Sequence, residues 1–210
     1  MNLSKNVKIF AGLFVVIVVS LIFYATLKPD YKIKAVHSNT VILAFGDSLT
    51  VGVGASKDES YPAVLQNLIG TKIINGGVSG ETSAQGLSRL PALLKKESPA
   101  LIIICHGGND FLQKTDISKT EENIRKMIQL SKDTGSDVVL LGVPQPGLLL
   151  KAESFYSRIA SDFKIPIENK VLPKVLGNAG LKSDYIHPNA KGYRIIAEAI
   201  AELIKTHEEE

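Results

Sequence analysis

The amino-acid sequence predicts an α/β protein with a parallel sheet that carries helices on both faces. Short apolar runs rich in β-branched residues alternate along the chain with longer segments in which apolar residues recur at helical spacing. When strands and helices alternate in this way, each helix returns the chain to the same end of the sheet, so that successive strands run parallel. The apolar runs are nearly continuous, as expected for strands buried on both faces.

Each predicted strand is short and ends at a residue that favours a turn. The first runs into Gly-Asp-Ser, the second into Asn-Gly-Gly, the third into His-Gly-Gly, and the fourth stops before a proline. A fifth strand is expected to be shorter. In chain order, the predicted strands are residues 41–45, 72–75, 101–105, 138–143 and 165–167.

The segments between the strands have helical patterns. The first follows an Asp-Glu-Ser start signal, and the second carries leucines at positions 87, 90, 93 and 94. The third opens with Ser-Lys-Thr-Glu, which predicts a capping box that starts at Ser118. The predicted helices are residues 61–69, 83–96, 118–132, 154–163 and 189–205.

The composition excludes several classes of function. The 210 residues are 45% hydrophobic and 21% charged, as in an ordinary folded protein. With a net charge of +3 and no basic stripe interleaved with aromatic residues, no nucleic-acid partner is expected. The four histidines lack metal-ligand spacing, and Gly52-Val-Gly54 lacks the lysine of a phosphate loop. No metal and no other cofactor are therefore expected.

The N-terminus has the pattern of a membrane anchor. Residues 9–27 contain no charged side chain, and Lys5, Lys8 and Lys28 flank them. At about 1.5 Å per residue, these residues would span roughly 28 Å as a helix, close to the hydrocarbon thickness of a bilayer. A signal peptide usually has an apolar region of about 7–15 residues and a small-x-small cleavage site, and the sequence before Lys28 makes a poor one. The sequence predicts an N-terminal transmembrane helix, with a signal peptide as the alternative.

The predicted organisation has three parts. Residues 1–28 form the membrane anchor (or signal peptide), residues 29–39 a polar linker, and residues 40–207 one folded domain. Lysines on the two sides of the apolar segment nearly balance, so the positive-inside comparison is close to a tie. We expect the folded domain to be exported, to the periplasm or another extracytoplasmic space. If the segment is a signal peptide, the domain is expected to be secreted after cleavage.

The residues after the first strand, Gly46-Asp47-Ser48, are candidates for chemistry as well as for a turn. A turn alone would account for them. Parallel sheets nevertheless form their sites at the carboxyl ends of the strands, where this serine lies. Ser48 is therefore a candidate nucleophile if a base is within reach, whereas Asp47 is interpreted as a residue that orders the turn.

A base for Ser48 is predicted shortly before the last helix. Serine is a weak nucleophile without an imidazole to accept its proton, and the imidazole needs a carboxylate to fix its tautomer. Asp184 and His187 are three residues apart, so one turn can fold the carboxylate onto the ring. Pro188 is expected at the first position of the helix. The same residues also fit a plain helix start at which Asp184 or His187 is a local cap.

Donors for an oxyanion are predicted at the ends of the second and third strands. Gly80 has no side chain, so its backbone N–H can approach a substrate closely. Asn109 has a side-chain amide, and together with the N–H of Ser48 these groups would supply three donors. A turn residue is the alternative interpretation of Asn109.

Four sequence blocks, taken in order, resemble those of the SGNH hydrolases, also called GDSL esterases and lipases. They are GDSL around Ser48, GVSGET around Gly80, GGND around Asn109 and DYIHP around His187. The resemblance covers residues 41–204 and is strongest to the bacterial arylesterase, acyl-thioesterase and lysophospholipase branch. The GxSxG elbow of the α/β-hydrolases is absent.

The resemblance implies a flavodoxin-like three-layer α/β/α sandwich with a five-stranded parallel sheet. It also implies that Ser48, Asp184 and His187 form a catalytic triad and that Ser48, Gly80 and Asn109 surround the oxyanion. We expect a serine esterase that hydrolyses small acyl esters or thioesters through an acyl-enzyme on Ser48, without a cofactor. The alternatives are a carbohydrate or cell-wall O-acetyl esterase and a non-catalytic binding module.

Two further features are interpreted as structural. Cys105 and His106 are adjacent at a strand end and point to opposite sides, so they cannot act as a pair, and Cys105 is expected in the core. The leucines at positions 148–150 follow a proline-glycine loop and are interpreted as helix packing. The alternative is that they line a groove for an acyl chain.

Overall fold

In the computed structural model of the chain, the residues described are 10, 14, 31–34, 36–37, 39–147 and 150–208. One compact unit begins at Tyr31 and contains all the strands and helices named below. Apart from Phe10 and Phe14, the predicted membrane anchor of residues 9–27 lies outside the described residues. Within the described residues, no helix is both long enough and apolar enough to cross a membrane.

The sheet has five parallel strands in the order β2-β1-β3-β4-β5. The central strands β1 and β3 are buried almost throughout, whereas β2 at one edge is partly exposed. These burial patterns match the continuous apolar runs of the sequence and confirm the predicted α/β fold. The strands are β1 (Val41–Gly46), β2 (Lys72–Gly77), β3 (Leu101–Cys105), β4 (Asp137–Leu141) and β5 (Ile167–Glu168).

Helices cover both sides of the sheet. One set of neighbours consists of α2, α7 and α8, and the other consists of α3, α5 and α6. Together with the sheet they form the three layers of an α/β/α sandwich. The helices are α1 (Ser48–Val51), α2 (Tyr61–Ile69), α3 (Ser83–Glu97), α4 (Gly108–Leu112), α5 (Ile117–Asp133), α6 (Ser154–Phe163), α7 (Val171–Leu176) and α8 (Ala190–His207).

Two helix starts differ from those predicted. Helix α5 begins at Ile117 and is capped by Asp116, whose carboxylate accepts the backbone N–H of Ser118, so the capping box predicted at Ser118 is wrong. Helix α8 begins after Pro188, because Asn189 is its N-cap and accepts the N–H of Gly192. In both places another residue with strong capping ability, Asp or Asn, stands close to the predicted start.

The segment predicted as a linker packs against the domain where it is described. Ile33 is buried, and its N–H donates to the carbonyl of His207 at 2.8 Å. The N–H of Lys34 donates to the carboxylate of Asp137 at 2.8 Å. The compact unit therefore begins earlier than the boundary predicted at residue 40, because an apolar side chain and two backbone donors find partners on the domain.

Candidate active site

Ser48 lies at the carboxyl edge of the sheet, directly after β1. It begins the short helix α1, and Asp47 caps this helix by accepting the N–H of Leu49 at 3.0 Å. The turn is tight, since a Cβ atom on Gly46 would lie 2.4 Å from the carbonyl oxygen of Cys105. Only glycine fits at position 46, and the hydroxyl of Ser48 is thereby presented above the strand ends.

His187 joins Ser48 to Asp184. Its Nε2 atom lies 3.0 Å from the Oγ of Ser48, and its Nδ1 atom lies 2.7 Å from the Oδ2 of Asp184. The structure therefore brings together the three residues predicted as a triad, although 139 positions separate the serine from the histidine. With a proton on Nδ1 donated to the carboxylate, Nε2 is free to accept the proton of the serine.

The loop that carries Asp184 and His187 is held by its own backbone. One carboxylate oxygen of Asp184 accepts the N–H groups of Ile186 and His187, each at 2.8 Å, and leaves the other oxygen for the ring. The N–H of Ser183 donates to the carbonyl of His187 at 3.0 Å. Partial desolvation raises the pKa of Asp184, but its hydrogen bonds with His187 and Ile186 outweigh this effect and leave the pKa below its usual value. The carboxylate is therefore ionised at neutral pH.

Two of the predicted oxyanion donors are backbone N–H groups that are unpaired among the described residues. Within the described residues, the N–H groups of Ser48 and Gly80 have no hydrogen-bond partner. Gly80 has a φ of +78°, and a Cβ atom there would meet nothing within 4 Å. The positive φ favours glycine at position 80 for its backbone conformation, and the predicted approach of its N–H to a substrate stays a prediction.

Asn109 lies in the first turn of α4, at the end of β3. Its Nδ2 atom is 3.2 Å from the Oδ2 of Asp47 and 3.1 Å from the carbonyl oxygen of Glu81. The amide therefore connects the ends of β1, β2 and β3. Both acceptors lie on other segments, so the amide does not close a turn on its own neighbouring backbone.

Asp47 is buried, with 1% of its surface exposed. Desolvation raises the pKa of this carboxyl to about 7, although the Leu49 N–H, the nearby His187 and the Asn109 amide favour the ionised form. Its two oxygens are both engaged in ordering the turn and in holding Asn109. This agrees with the interpretation of Asp47 as a residue that orders the turn.

A pocket of about 510 Å³ opens beside Ser48 and His187. Its wall is largely apolar, and Lys151, Lys182 and the exposed Tyr185 also line it. A volume of this size accommodates an organic group of moderate length next to the serine. The apolar part of the lining includes Leu112, Val143, Leu150, Pro173, Leu176 and Ile186.

Leu150 lies outside any helix and lines this pocket. The interpretation of residues 148–150 as helix packing is therefore wrong for this leucine, because the helix that follows begins only at Ser154. Residues 148 and 149 lie outside the described residues. The alternative, a wall for an acyl chain, is the one that the position of Leu150 favours.

Cys105 and His106, which were interpreted as structural from the sequence, lie in the core. Cys105 is buried in β3, and desolvation raises its pKa well above the usual value, so the thiol is not a nucleophile. His106 is also buried, and desolvation, with a contribution from Arg89, lowers its pKa to about 3. Its ring is therefore neutral. No group of acidic, histidine or cysteine side chains among the described residues could hold a metal ion.

Two buried polar contacts near the site were not predicted. Arg89 forms an ion pair with Glu81, and Asp110 accepts hydrogen bonds from the backbone and the hydroxyl of Ser83. The only sequence signal for either was the presence of a carboxylate within a glycine-rich strand end. Asp110 is distant in sequence from Ser83, and Arg89 lies on one face of α3. Each pairing therefore depends on the fold.

The fold and the site together define a class of ester hydrolases. These proteins combine a parallel sheet covered by helices on both faces with a hydrogen-bonded serine, histidine and aspartate at its carboxyl edge, and here an apolar pocket adjoins them. Residues 44–195 match the model of the GDSL-like lipase/acylhydrolase family. The chain belongs to this family, and it is a serine esterase, a carboxylic ester hydrolase.

Similar proteins carry related names. The chain is 32% identical over 180 residues to "Thioesterase 1/protease 1/lysophospholipase L1" of Escherichia coli (strain K12), which covers 82% of this chain and 86% of that protein. It is 30% identical over 184 residues to "Arylesterase" of Vibrio mimicus, with coverage of 82% and 92%. The crystal structure of the psychrotrophic esterase EstA from Pseudoalteromonas sp. superposes with a TM-score of 0.72 at 26% identity and covers 80% of this chain and 97% of that one.

Proposed function

We propose that Ser48, His187 and Asp184 are the catalytic triad of this esterase and that the reaction passes through an acyl-enzyme on Ser48. The observation that carries the proposal is the chain of hydrogen bonds, 3.0 Å from Ser48 to His187 and 2.7 Å from His187 to Asp184. These are the contacts that a general base and its orienting carboxylate require.

The first half of the reaction forms the acyl-enzyme. The Oγ of Ser48 attacks the carbonyl carbon of the substrate while its proton passes to Nε2 of His187, and the carbonyl oxygen becomes an oxyanion. Asp184 stabilises the resulting imidazolium. When the tetrahedral intermediate collapses, the bond to the alcohol or thiol breaks, and the leaving group receives the proton from His187.

The second half returns the enzyme to its starting state. A water molecule gives a proton to His187 and attacks the acyl carbon, and the released Ser48 takes that proton back. In both halves we propose that the N–H groups of Ser48 and Gly80 and the amide of Asn109 donate to the oxyanion. Asn109 can donate only if one of its amide hydrogens turns away from its present acceptor, Asp47 or the Glu81 carbonyl.

The proposed substrates are esters or thioesters whose acyl group enters the apolar pocket. The leucines and prolines of its lining, Leu150 among them, favour an acyl chain over a sugar. The names of the similar thioesterase and arylesterase support the same substrate classes. The pocket does not favour an O-acetyl esterase, since an acetyl group would leave most of the 510 Å³ unfilled.

A panel of esters tests the function. Purified protein should hydrolyse p-nitrophenyl esters from acetyl to dodecanoyl, together with an acyl-CoA, and chains longer than acetyl should give the higher kcat/KM. The Ser48→Ala variant should have no activity above background and should not react with a fluorophosphonate probe. Full activity in that variant would overturn the proposed role of Ser48, and a preference for acetyl would overturn the assignment of the pocket.

We also propose that residues 9–27 anchor the enzyme in a membrane through a single helix, with the catalytic domain on the exported side. The length of the uncharged segment and the lysines that flank it support this topology. The full-length protein should remain in the membrane fraction after a high-salt wash. A soluble product trimmed beyond Ala25 would instead identify the segment as a signal peptide.

A further inference from the structure

An ion pair fixes the loop between β2 and α3. The Nε atom of Arg89 donates to Oε1 of Glu81 at 2.8 Å, and its Nη2 atom donates to Oε2 at 2.6 Å. The same Nη2 atom also donates to the carbonyl of Gly76 at 3.0 Å, at the end of β2. A guanidinium that binds both oxygens of a carboxylate fixes its orientation as well as its position. Arg89 therefore connects the second turn of α3 to both ends of the loop.

Glu81 is part of this loop and contacts a residue of the proposed oxyanion site. Its side chain is 6% exposed, and its backbone carbonyl accepts the amide of Asn109 at 3.1 Å. Gly80, whose N–H is a proposed oxyanion donor, is the preceding residue. A shift of the Glu81 backbone would therefore move its own carbonyl, which orients Asn109, and would also displace the neighbouring residue Gly80 with its N–H.

The surroundings leave the ion pair little room to rearrange. The guanidinium of Arg89 lies over the ring of Phe45, 4.5 Å from its centre. The buried ring of His106 also adjoins the carboxylate, with Nε2 3.4 Å from Oε2 of Glu81. A Cβ atom on Gly86 would come within 2.6 Å of that ring, so α3 packs directly against it. The carboxylate of Glu81 is therefore buried among these groups, and Arg89 covers it from the partly exposed side.

The other side of the loop is held independently. Asp110, the residue after Asn109, accepts the N–H of Ser83 at 2.7 Å and its hydroxyl at 2.6 Å. Loss of the Arg89 contact would thus leave the start of α3 attached to α4. The segment from Gly80 to Glu81 would keep the turn hydrogen bond from the Glu81 N–H to the Val78 carbonyl at 3.2 Å but would lose its side-chain anchor, whereas the helix would stay in place.

We propose that Arg89 is a positioning residue for ester hydrolysis, which acts through Glu81 to orient the amide of Asn109 and the N–H of Gly80 toward the oxyanion. The inference rests on the proposed function. It assigns to Arg89 no contact with the substrate. Because the oxyanion forms only in the transition state, misplaced donors lower kcat and leave KM nearly unchanged.

The test compares Arg89→Met with Arg125→Met. Arg125 is a matched control on α5, since it is 31% exposed where Arg89 is 27% exposed, and it also pairs through two nitrogens, with Glu121 and Asp162. In each variant the active fraction is first titrated to completion with a fluorophosphonate probe. The constants kcat and KM for a p-nitrophenyl ester are then measured per titrated site.

Arg89→Met is expected to lower kcat about 10- to 100-fold with KM within about twofold of wild type. Arg125→Met is expected to keep both constants. Equal kcat in the two variants would overturn the proposal. So would an activity loss in Arg89→Met that is explained entirely by a smaller number of titrated sites.

If Arg89→Met does not fold, Arg89→Lys and Glu81→Gln replace it, because each keeps a polar contact but loses the double hydrogen bond. Both should lower kcat, and wild-type kcat in both would overturn the proposal.

The same series distinguishes this inference from the proposed function. Ser48→Ala measured alongside reports on the nucleophile alone. An inactive Ser48→Ala together with a fully active Arg89→Met would leave the esterase mechanism in place and reject the role of Arg89. An active Ser48→Ala would reject the mechanism and the role of Arg89 with it.

Discussion

The side-chain amide of Asn109 lies 3.2 Å from the buried carboxylate of Asp47, the residue that precedes Ser48. This contact ties the end of β3 to the end of β1 at the point where the proposed nucleophile emerges. The amide also donates to the Glu81 carbonyl, so both of its hydrogens have acceptors in the free protein. An oxyanion beside Ser48 has to compete with one of them.

The role of Asn109 can be measured directly. If its amide donates to the oxyanion, Asn109→Ala should lower kcat by about 10²- to 10³-fold, with little change in KM. A residue that only shapes the turn would instead lower the melting temperature and leave kcat per titrated site unchanged. Asn169→Ala is a suitable control, since that amide donates to Ser157 at 3.0 Å and does not line the pocket.

The two partners of Ser48 should differ in their contributions. His187→Ala removes the base and should lower kcat by about 10⁴-fold or more. Asp184→Asn should cost less than His187→Ala, because the carboxylate orients and stabilises the ring without taking the proton itself. Steady-state kinetics on matched preparations would measure both, and an Asp184→Asn variant with wild-type kcat would contradict the proposed role of the carboxylate.

Asp47 predicts a dependence of stability on pH. Its pKa in the folded protein is about 7, above the ordinary value of 3.8, chiefly because burial disfavours the charged form. A raised carboxyl pKa means that its contribution to stability is complete below about pH 4 and is lost as the pH rises to about 7. Asp47→Asn cannot ionise, so its melting temperature relative to wild type should rise over this range and level off above it.

A second carboxylate, Asp116, serves as a control for the direction of this change in melting temperature with pH. The pKa of Asp116 is lowered by its hydrogen bonds with Ser118, so the ionised form is favoured in the folded protein. Asp116→Asn should therefore gain nothing over wild type as the pH rises. A flat difference for Asp47→Asn between pH 4 and pH 7 would show that burial does not control its titration. If the new amide at position 47 contacts Asn109 less well, the melting temperature would shift by the same amount at every pH. The change in melting temperature with pH would be unaffected.

The pocket predicts a change in chain-length preference. Leu150→Trp should fill part of the space beside Ser48 and lower kcat/KM for dodecanoyl esters by about 10-fold or more, with little effect on acetyl esters. Leu68→Trp, at an exposed position on α2, should leave the whole series unchanged. A uniform loss for all esters in Leu150→Trp would indicate damage to the site rather than a shorter pocket.

Much of the fold was predictable because it depends on short-range patterns. Runs such as Leu101–Cys105 are apolar throughout and contain three consecutive β-branched isoleucines, which is typical of a strand buried on both faces. Helix starts were less certain, as the caps at Asp116 and Asn189 show. Several polar residues with capping ability stand close together at each start, and packing of the helix decides which one is used.

The sequence by itself determined the α/β class, the strand ends that carry polar residues, and the residues of the proposed site, since each has a recognisable local pattern. Only the tertiary structure decided that His187 lies 3.0 Å from Ser48, that Asn109 donates to Asp47 and Glu81, and that Arg89 pairs with Glu81. These contacts join residues on different elements, and their distances follow from how the helices pack on the sheet. The burial that raises the pKa of Asp47 has the same origin, because a side chain is desolvated by its neighbours in space rather than by its neighbours in sequence.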